Sequence, residues 1–144
     1  MKKLLSIINF IIFLFLSLIH FFWLTGSTLW LEYAIPTNEN YEKLLAPTNF
    51  DTLFVGLMLL FFAIIYLWKF QGKEIQNKVI KFFYWFVPII FIIRSIGDFK
   101  YLGFFKTVTN TSFAKADSFL FAPLCLFLGI SGLIIVLNKR KYAK

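Results

Sequence analysis

Four long apolar runs constrain this chain more than any other feature. They extend from about Leu4 to Leu31, Thr52 to Trp68, Val79 to Ile96 and Phe119 to Leu137. A helix needs roughly 20 apolar residues to cross the hydrocarbon core of a bilayer, with about 17 at the lower end of the range. All four runs meet that length, the second and third narrowly. In lipid the backbone has no water to bond to, so runs of this kind must satisfy themselves as helices. The expected fold is all-α: a polytopic membrane protein with one domain over residues 1–144, a four-transmembrane-helix bundle. Two longer links, residues 32–51 and 97–118, join the first helix to the second and the third to the fourth.

Composition supports this class. Hydrophobic residues make up 60% of the chain and charged residues only 15%, where a soluble domain is nearer half and a quarter. The 21 phenylalanines add bulk suited to lipid contact rather than marking a cofactor box. The net charge of +8 does not point to nucleic acid, because the basic residues flank apolar runs instead of forming a patch on a soluble face. Cys125 is the single cysteine, which excludes an intrachain disulfide and a Cys-x-x-Cys redox site. Lys2 and Lys3 precede the first run as in a signal peptide, but the run is too long and no small-x-small cleavage site follows. It is expected to be a retained helix.

Charge in the links sets the expected orientation. Lys69, Lys73, Lys78 and Lys81 lie around the short link between helices 2 and 3, and Lys139, Arg140, Lys141 and Lys144 in the tail. The first link carries Glu32, Glu39, Glu42 and Asp51 against Lys43. The positive-inside rule places both termini in the cytoplasm, and the expected location is the cytoplasmic membrane of a bacterium. Thr48 with Asp51 reads as a capping box for helix 2. Asp117 or Ser118 reads as the N-cap of helix 4. The third link interleaves lysines with Phe99, Tyr101, Phe104, Phe105 and Phe113, a mixture suited to the headgroup layer. Pro88 and Pro123 fall inside helices 3 and 4, where a missing N–H tends to kink the helix.

Few residues carry chemistry. His20, the only histidine, lies roughly 24 Å along its helix from Leu4, in the outer part of the membrane. It shares a polar stripe with Ser6, Asn9, Ser17, Trp23 and Ser27, which should face the bundle interior. Arg94 and Asp98 are four apart and share a helix face if helix 3 continues that far. An ionisable pair there needs a reason: a structural ion pair, or an anion contact by Arg94 oriented by Asp98. Gly97 between them allows close approach of another helix. With Glu32 and Asp117 on the same rim, these residues describe one outward-facing pocket. Candidate catalytic residues are His20, Asp98 and Asp117; candidate ligand contacts are Trp23, Glu32, Arg94 and Tyr101. No zinc motif, phosphate loop or dinucleotide fingerprint is present in the sequence, so no cofactor or metal is expected. Ala122, Cys125, Gly129 and Gly132 form a small-residue stripe, which suits close packing within the monomer or the seam of a homodimer.

His20-Phe-Phe-Trp23-Leu-Thr-Gly26, then Arg94-Ser-Ile-Gly97-Asp98-Phe-Lys100-Tyr101-Leu-Gly103-Phe-Phe-Lys106, Phe113-Ala114, Asp117 and Ala122-Pro123-Leu124-Cys125 together resemble the domain-of-unknown-function 3995 family of small bacterial integral membrane proteins. Ser27 departs from a second glycine often found in that family. The resemblance implies a four-helix membrane protein, with His20, Trp23, Arg94, Asp98, Asp117 and Pro123 at motif positions, and implies no activity. Three functions fit the residues: a ligand-binding or accessory protein contacting a lipid, small molecule or partner; a small intramembrane enzyme moving protons between His20 and a carboxylate; and a dimeric transporter.

Overall fold

The computed structural model describes residues 1–137; the tail cations Lys139, Arg140, Lys141 and Lys144 lie outside the described residues. Among the described residues, six α-helices and one π-helical turn make up the regular structure: α1 Lys2–Leu24, α2 Leu31–Ala34, α3 Asn49–Phe70, α4 Lys78–Ile96, α5 Ser112–Ala116, a π turn Asp117–Phe121, and α6 Ala122–Leu137. No strand occurs among the described residues, only an isolated bridge between Thr37 and Lys43. α1, α3, α4 and the continuous α5–π–α6 helix are each long and apolar enough to cross a membrane.

Local chemistry sets where these helices begin and end. Thr48 and Asp51 form the expected capping box, so α3 starts at Asn49 rather than Thr52. Asn77 caps α4, its Oδ1 accepting from the Val79 and Ile80 amides at 2.8 and 3.3 Å. α1 ends at Leu24 instead of running to Leu31: Gly26 takes φ +89° just beyond it, and the chain then turns into the separate short α2. The fourth spanning helix starts seven residues before Phe119. Its N-cap is Thr111, whose Oγ1 accepts from the Ala114 amide at 3.1 Å, not Asp117 or Ser118. Asp117 therefore sits inside the helix, at the first residue of the π turn. This turn lies just ahead of Pro123. Proline has no N–H to give Phe119 and its ring crowds that carbonyl; the wider turn, closed by the Ala122 amide on the Asp117 carbonyl, gives that carbonyl room.

α1 packs along α3 and α4 along α6, with further contacts from α1 to α6 and from α3 to α4. Ser6, Asn9 and Ser17 of the polar stripe are buried as expected. At mid-depth Phe13 packs edge-on against Phe62 and Phe91, with ring centroids 5.7 and 5.2 Å away, and stacks on Tyr66 at 5.6 Å. The small-residue stripe is used within the protomer: Ala122, Cys125, Gly129 and Gly132 are all buried. A Cβ on Gly129 would meet Ile92 and the Pro88 carbonyl, and one on Gly132 would lie 2.6 Å from the Tyr66 hydroxyl and 2.8 Å from Pro88 Cβ. Pro88 is fully buried at this crossing, so its place in α4 serves packing against α6.

Gly132→Ala is expected to lower the melting temperature in detergent. The added methyl has rigid neighbours, and overpacking of this kind costs about 1–3 kcal/mol, more than the roughly 1 kcal/mol gained in helix propensity.

Candidate functional site

α4 ends at Ile96 because Gly97 takes φ +89°, and the chain folds straight back on the helix end. A Cβ on Gly97 would strike the Leu102 carbonyl, and one on Gly103 would strike the Ile96 carbonyl. The closeness allowed by Gly97 thus serves this loop and not a neighbouring helix. The Phe104 amide donates to the Ser95 carbonyl at 2.9 Å, and the Val108 amide to the Lys100 carbonyl at 3.0 Å. Asp98 Oδ1 gathers the amides of Lys100, Tyr101 and Leu102 at 2.7–3.0 Å. Desolvation pushes the Asp98 carboxyl up, but these backbone N–H donors together outweigh it and hold the group below its usual 3.8.

Arg94 and Asp98 consequently do not pair. The expectation assumed a helix continuing through Asp98, and Gly97 ends it first. Arg94 Nη2 instead donates to Asp117 Oδ1 at 2.7 Å. The other oxygen of Asp117 accepts from the Gly103 amide at 2.7 Å and from Lys106 Nζ at 3.1 Å. Lys106 Nζ also donates to the Gly103 carbonyl at 2.9 Å and to Ser118 Oγ at 2.7 Å, which uses all three of its protons. Asp117 is fully buried and the Lys106 side chain is 2% exposed, while that of Arg94 is 30% exposed. Two cations against one carboxylate leave a net positive cluster. Within it Arg94 Nη1 is buried and has no hydrogen-bond partner.

Lys106 is the member that sequence reasoning missed. It closes the Arg94–Lys106 motif but, as a lysine of an aromatic link, carries no local mark of burial; the loop turns at Gly103, three residues earlier, where φ is +79°. The other candidate residues do not join the cluster's hydrogen bonds. His20 Nδ1 lies 2.8 Å from the Leu16 carbonyl oxygen. A carbonyl only accepts, so Nδ1 is the donor in this bond. The His20 ring packs edge-on against Trp23 at 4.9 Å, and Trp23 Nε1 donates to the Leu29 carbonyl. Glu32 lines a small cleft of about 230 Å³ with Ile35, Thr37, Tyr41, Lys43 and Ser112, where the first link lies on the start of α5. Lys100 Nζ sits over the Tyr101 ring, 5.1 Å from its centroid. One end of the bundle thus carries three separate groups: a histidine–tryptophan pair on α1, a cleft between links, and the Asp117 cluster.

Asp117 is neutralised from both sides and Asp98 is occupied by backbone amides, so neither carboxylate is paired with His20. A guanidinium with Nη2 engaged and Nη1 without a partner has the donors to meet a second oxyanion.

Residues 13–132 match the family described as "Protein of unknown function (DUF3995)", and the chain belongs to that family. No curated protein and no solved structure matches the chain.

Asp117→Asn is expected to destabilise the protein by about 3–5 kcal/mol, because Lys106 is left buried without its counter-charge. Adding Lys106→Met should recover part of the loss; thermal unfolding in detergent checks both. A second expectation concerns pH. The folded-state carboxyl of Asp98 titrates below 3.8, so its stabilisation is complete above that pH and is lost as the pH falls through the lower folded value. Protection of the Lys100, Tyr101 and Leu102 amides from hydrogen exchange, corrected for intrinsic rates, should hold above 3.8 and decline below it.

Proposed function

We propose that this member of the family is a ligand-binding protein of a bacterial cytoplasmic membrane, and that its ligand presents an anionic headgroup to Arg94. One observation carries the reading: a buried, net positive cluster in which Arg94 Nη1 has no partner. A buried N–H on a charged group is costly when left alone, and a phosphate or carboxylate oxygen would satisfy it with a charge-assisted bond. The surroundings suit an amphiphile. Ile90, Ile93 and Ile96 on α4 are exposed, and in a bilayer they offer an acyl chain an apolar path to the same helix end. The lysines at the opposite end of the bundle favour a cytoplasmic position there, which supports reading the Arg94 end as the one at the outer leaflet.

Arg94→Lys is the informative variant, because it keeps the positive charge beside Asp117 and removes the second N–H edge. Loss of one hydrogen bond to a charged group is worth about 1.5–3 kcal/mol, which is roughly tenfold or more in affinity. Native mass spectrometry of protein extracted in mild detergent, with lipid titrations in nanodiscs, should show retention of phosphatidylglycerol over phosphatidylcholine. That preference should weaken roughly tenfold in the variant. Equal retention of both lipids, or a variant indistinguishable from the parent, sinks the reading.

A further inference from the structure

A second polar site lies where the first link meets the start of α5, apart from the Asp117 cluster. Its frame is a small hairpin over residues 36–44. The Leu44 amide donates to the Pro36 carbonyl and the Asn38 amide to the Glu42 carbonyl, each at 2.9 Å, and Thr37 pairs antiparallel with Lys43. Asn38 braces the turn: its Oδ1 accepts from the Asn40 and Glu42 amides, and its Nδ2 donates to Glu42 Oε2 at 2.8 Å. Residues opposite each other in an antiparallel pair share a face, so Thr37 and Lys43 stand on one side of the hairpin. Tyr41 joins them from the turn, where it takes φ +63° and is exposed. A bulky residue rarely adopts that conformation, and backbone strain of this kind gathers at binding sites. With Glu32 of α2, Ile35 and Ser112, these side chains line the cleft of about 230 Å³.

The charges in this cleft set its chemistry. Glu42 is engaged by Asn38, but Glu32 and Lys43 line one cleft without pairing; among the described residues the ion pairs are those of Asp117. Both side chains belong to exposed residues. Tyr41 and Ser112 add hydroxyls to the lining, and Thr37 Oγ1 has no hydrogen-bond partner. We infer that the cleft binds a small zwitterion, a primary ammonium joined by a short linker to a phosphate or carboxylate, with the ammonium on Glu32 and the anionic group on Lys43. A ligand with a single charge gains one partner and meets one like charge, which selects against it. A zwitterion satisfies both groups, each through a charge-assisted hydrogen bond. The cleft is smaller than the roughly 300–1,000 Å³ of a drug-sized pocket, which suits a lipid headgroup or a free amino acid. The site makes no use of Arg94.

The test uses the full chain in an uncharged detergent and in nanodiscs. Phosphoethanolamine and glycine are titrated as free zwitterions, phosphatidylethanolamine as the lipid-borne form, and glycerol phosphate and ethanolamine as single-charge controls. At least one zwitterionic form should bind roughly tenfold more tightly than either control, and Glu32→Gln and Lys43→Gln should each weaken it about tenfold. Both residues are exposed, so these variants should keep the parent melting temperature. Binding of a free form assigns a soluble ligand; binding of phosphatidylethanolamine alone assigns a lipid headgroup; either supports the inference. No binding by any of the three forms overturns it, as do equal affinity for a control and variants indistinguishable from the parent. Arg94→Lys should leave this binding unchanged; if that variant alone weakens it, the zwitterion sits at Arg94 and the inference fails.

Discussion

The buried carboxylate of Asp117 is the constraint on which one whole end of the molecule depends. A carboxylate taken out of water must be neutralised and hydrogen-bonded or it will not stay ionised there. Asp117 draws its partners from three places in the chain: Arg94 from the last turn of α4, Lys106 from the following loop, and the Gly103 amide from between them. Each contact fixes something else. Arg94 ties the end of α4 to the π turn. The Gly103 amide pins a loop whose two glycines must pass close to each other. Lys106 extends the bond network to Ser118. The π turn itself serves two needs at once, giving the backbone room ahead of Pro123 and carrying Asp117 into the interior.

The spanning helices were legible in the sequence because an apolar run of that length has few alternatives in lipid. The Thr48–Asp51 box was legible because capping is local, a matter of two side chains and their own backbone. The inward face of α1 could be read from Ser6, Asn9 and Ser17 at helical spacing. The ion pair was misread for the opposite reason. Arg94 and Asp98 have the spacing of a helical pair, and only the conformation of Gly97 removes Asp98 from the helix. The true partner stands 23 residues further on, at a position that reads as a helix cap when the helix is assumed to begin with its apolar run. Thr111 begins it earlier and turns the supposed cap into an interior residue. Lys106 stood in the motif, but its pairing with Asp117 was illegible because a lysine among aromatics in a link looks like any interfacial lysine until the fold of the loop is known.

The polar groups on α1 divide by depth. Asn9 belongs to an uncharged cluster with Ser131 and Tyr66, while His20 and Trp23 form a pair of their own near the helix end. Between these levels lie Phe13, Phe62 and Phe91. Ser17 does not bridge the gap, because its hydroxyl donates to the Gly56 carbonyl at 2.8 Å and closes α1 onto α3.

That aromatic layer has an electrical consequence. In a bilayer a membrane potential would fall over the whole apolar thickness of the bundle, with this layer in its middle. A charge carried through the full potential gains about 2.3 kcal/mol per 100 mV. An anion reaching Arg94 stops short of the rings, two residues before the end of α4, and crosses little of that field. Under the proposed reading, occupancy at Arg94 would therefore follow the composition of the adjacent leaflet rather than the membrane potential.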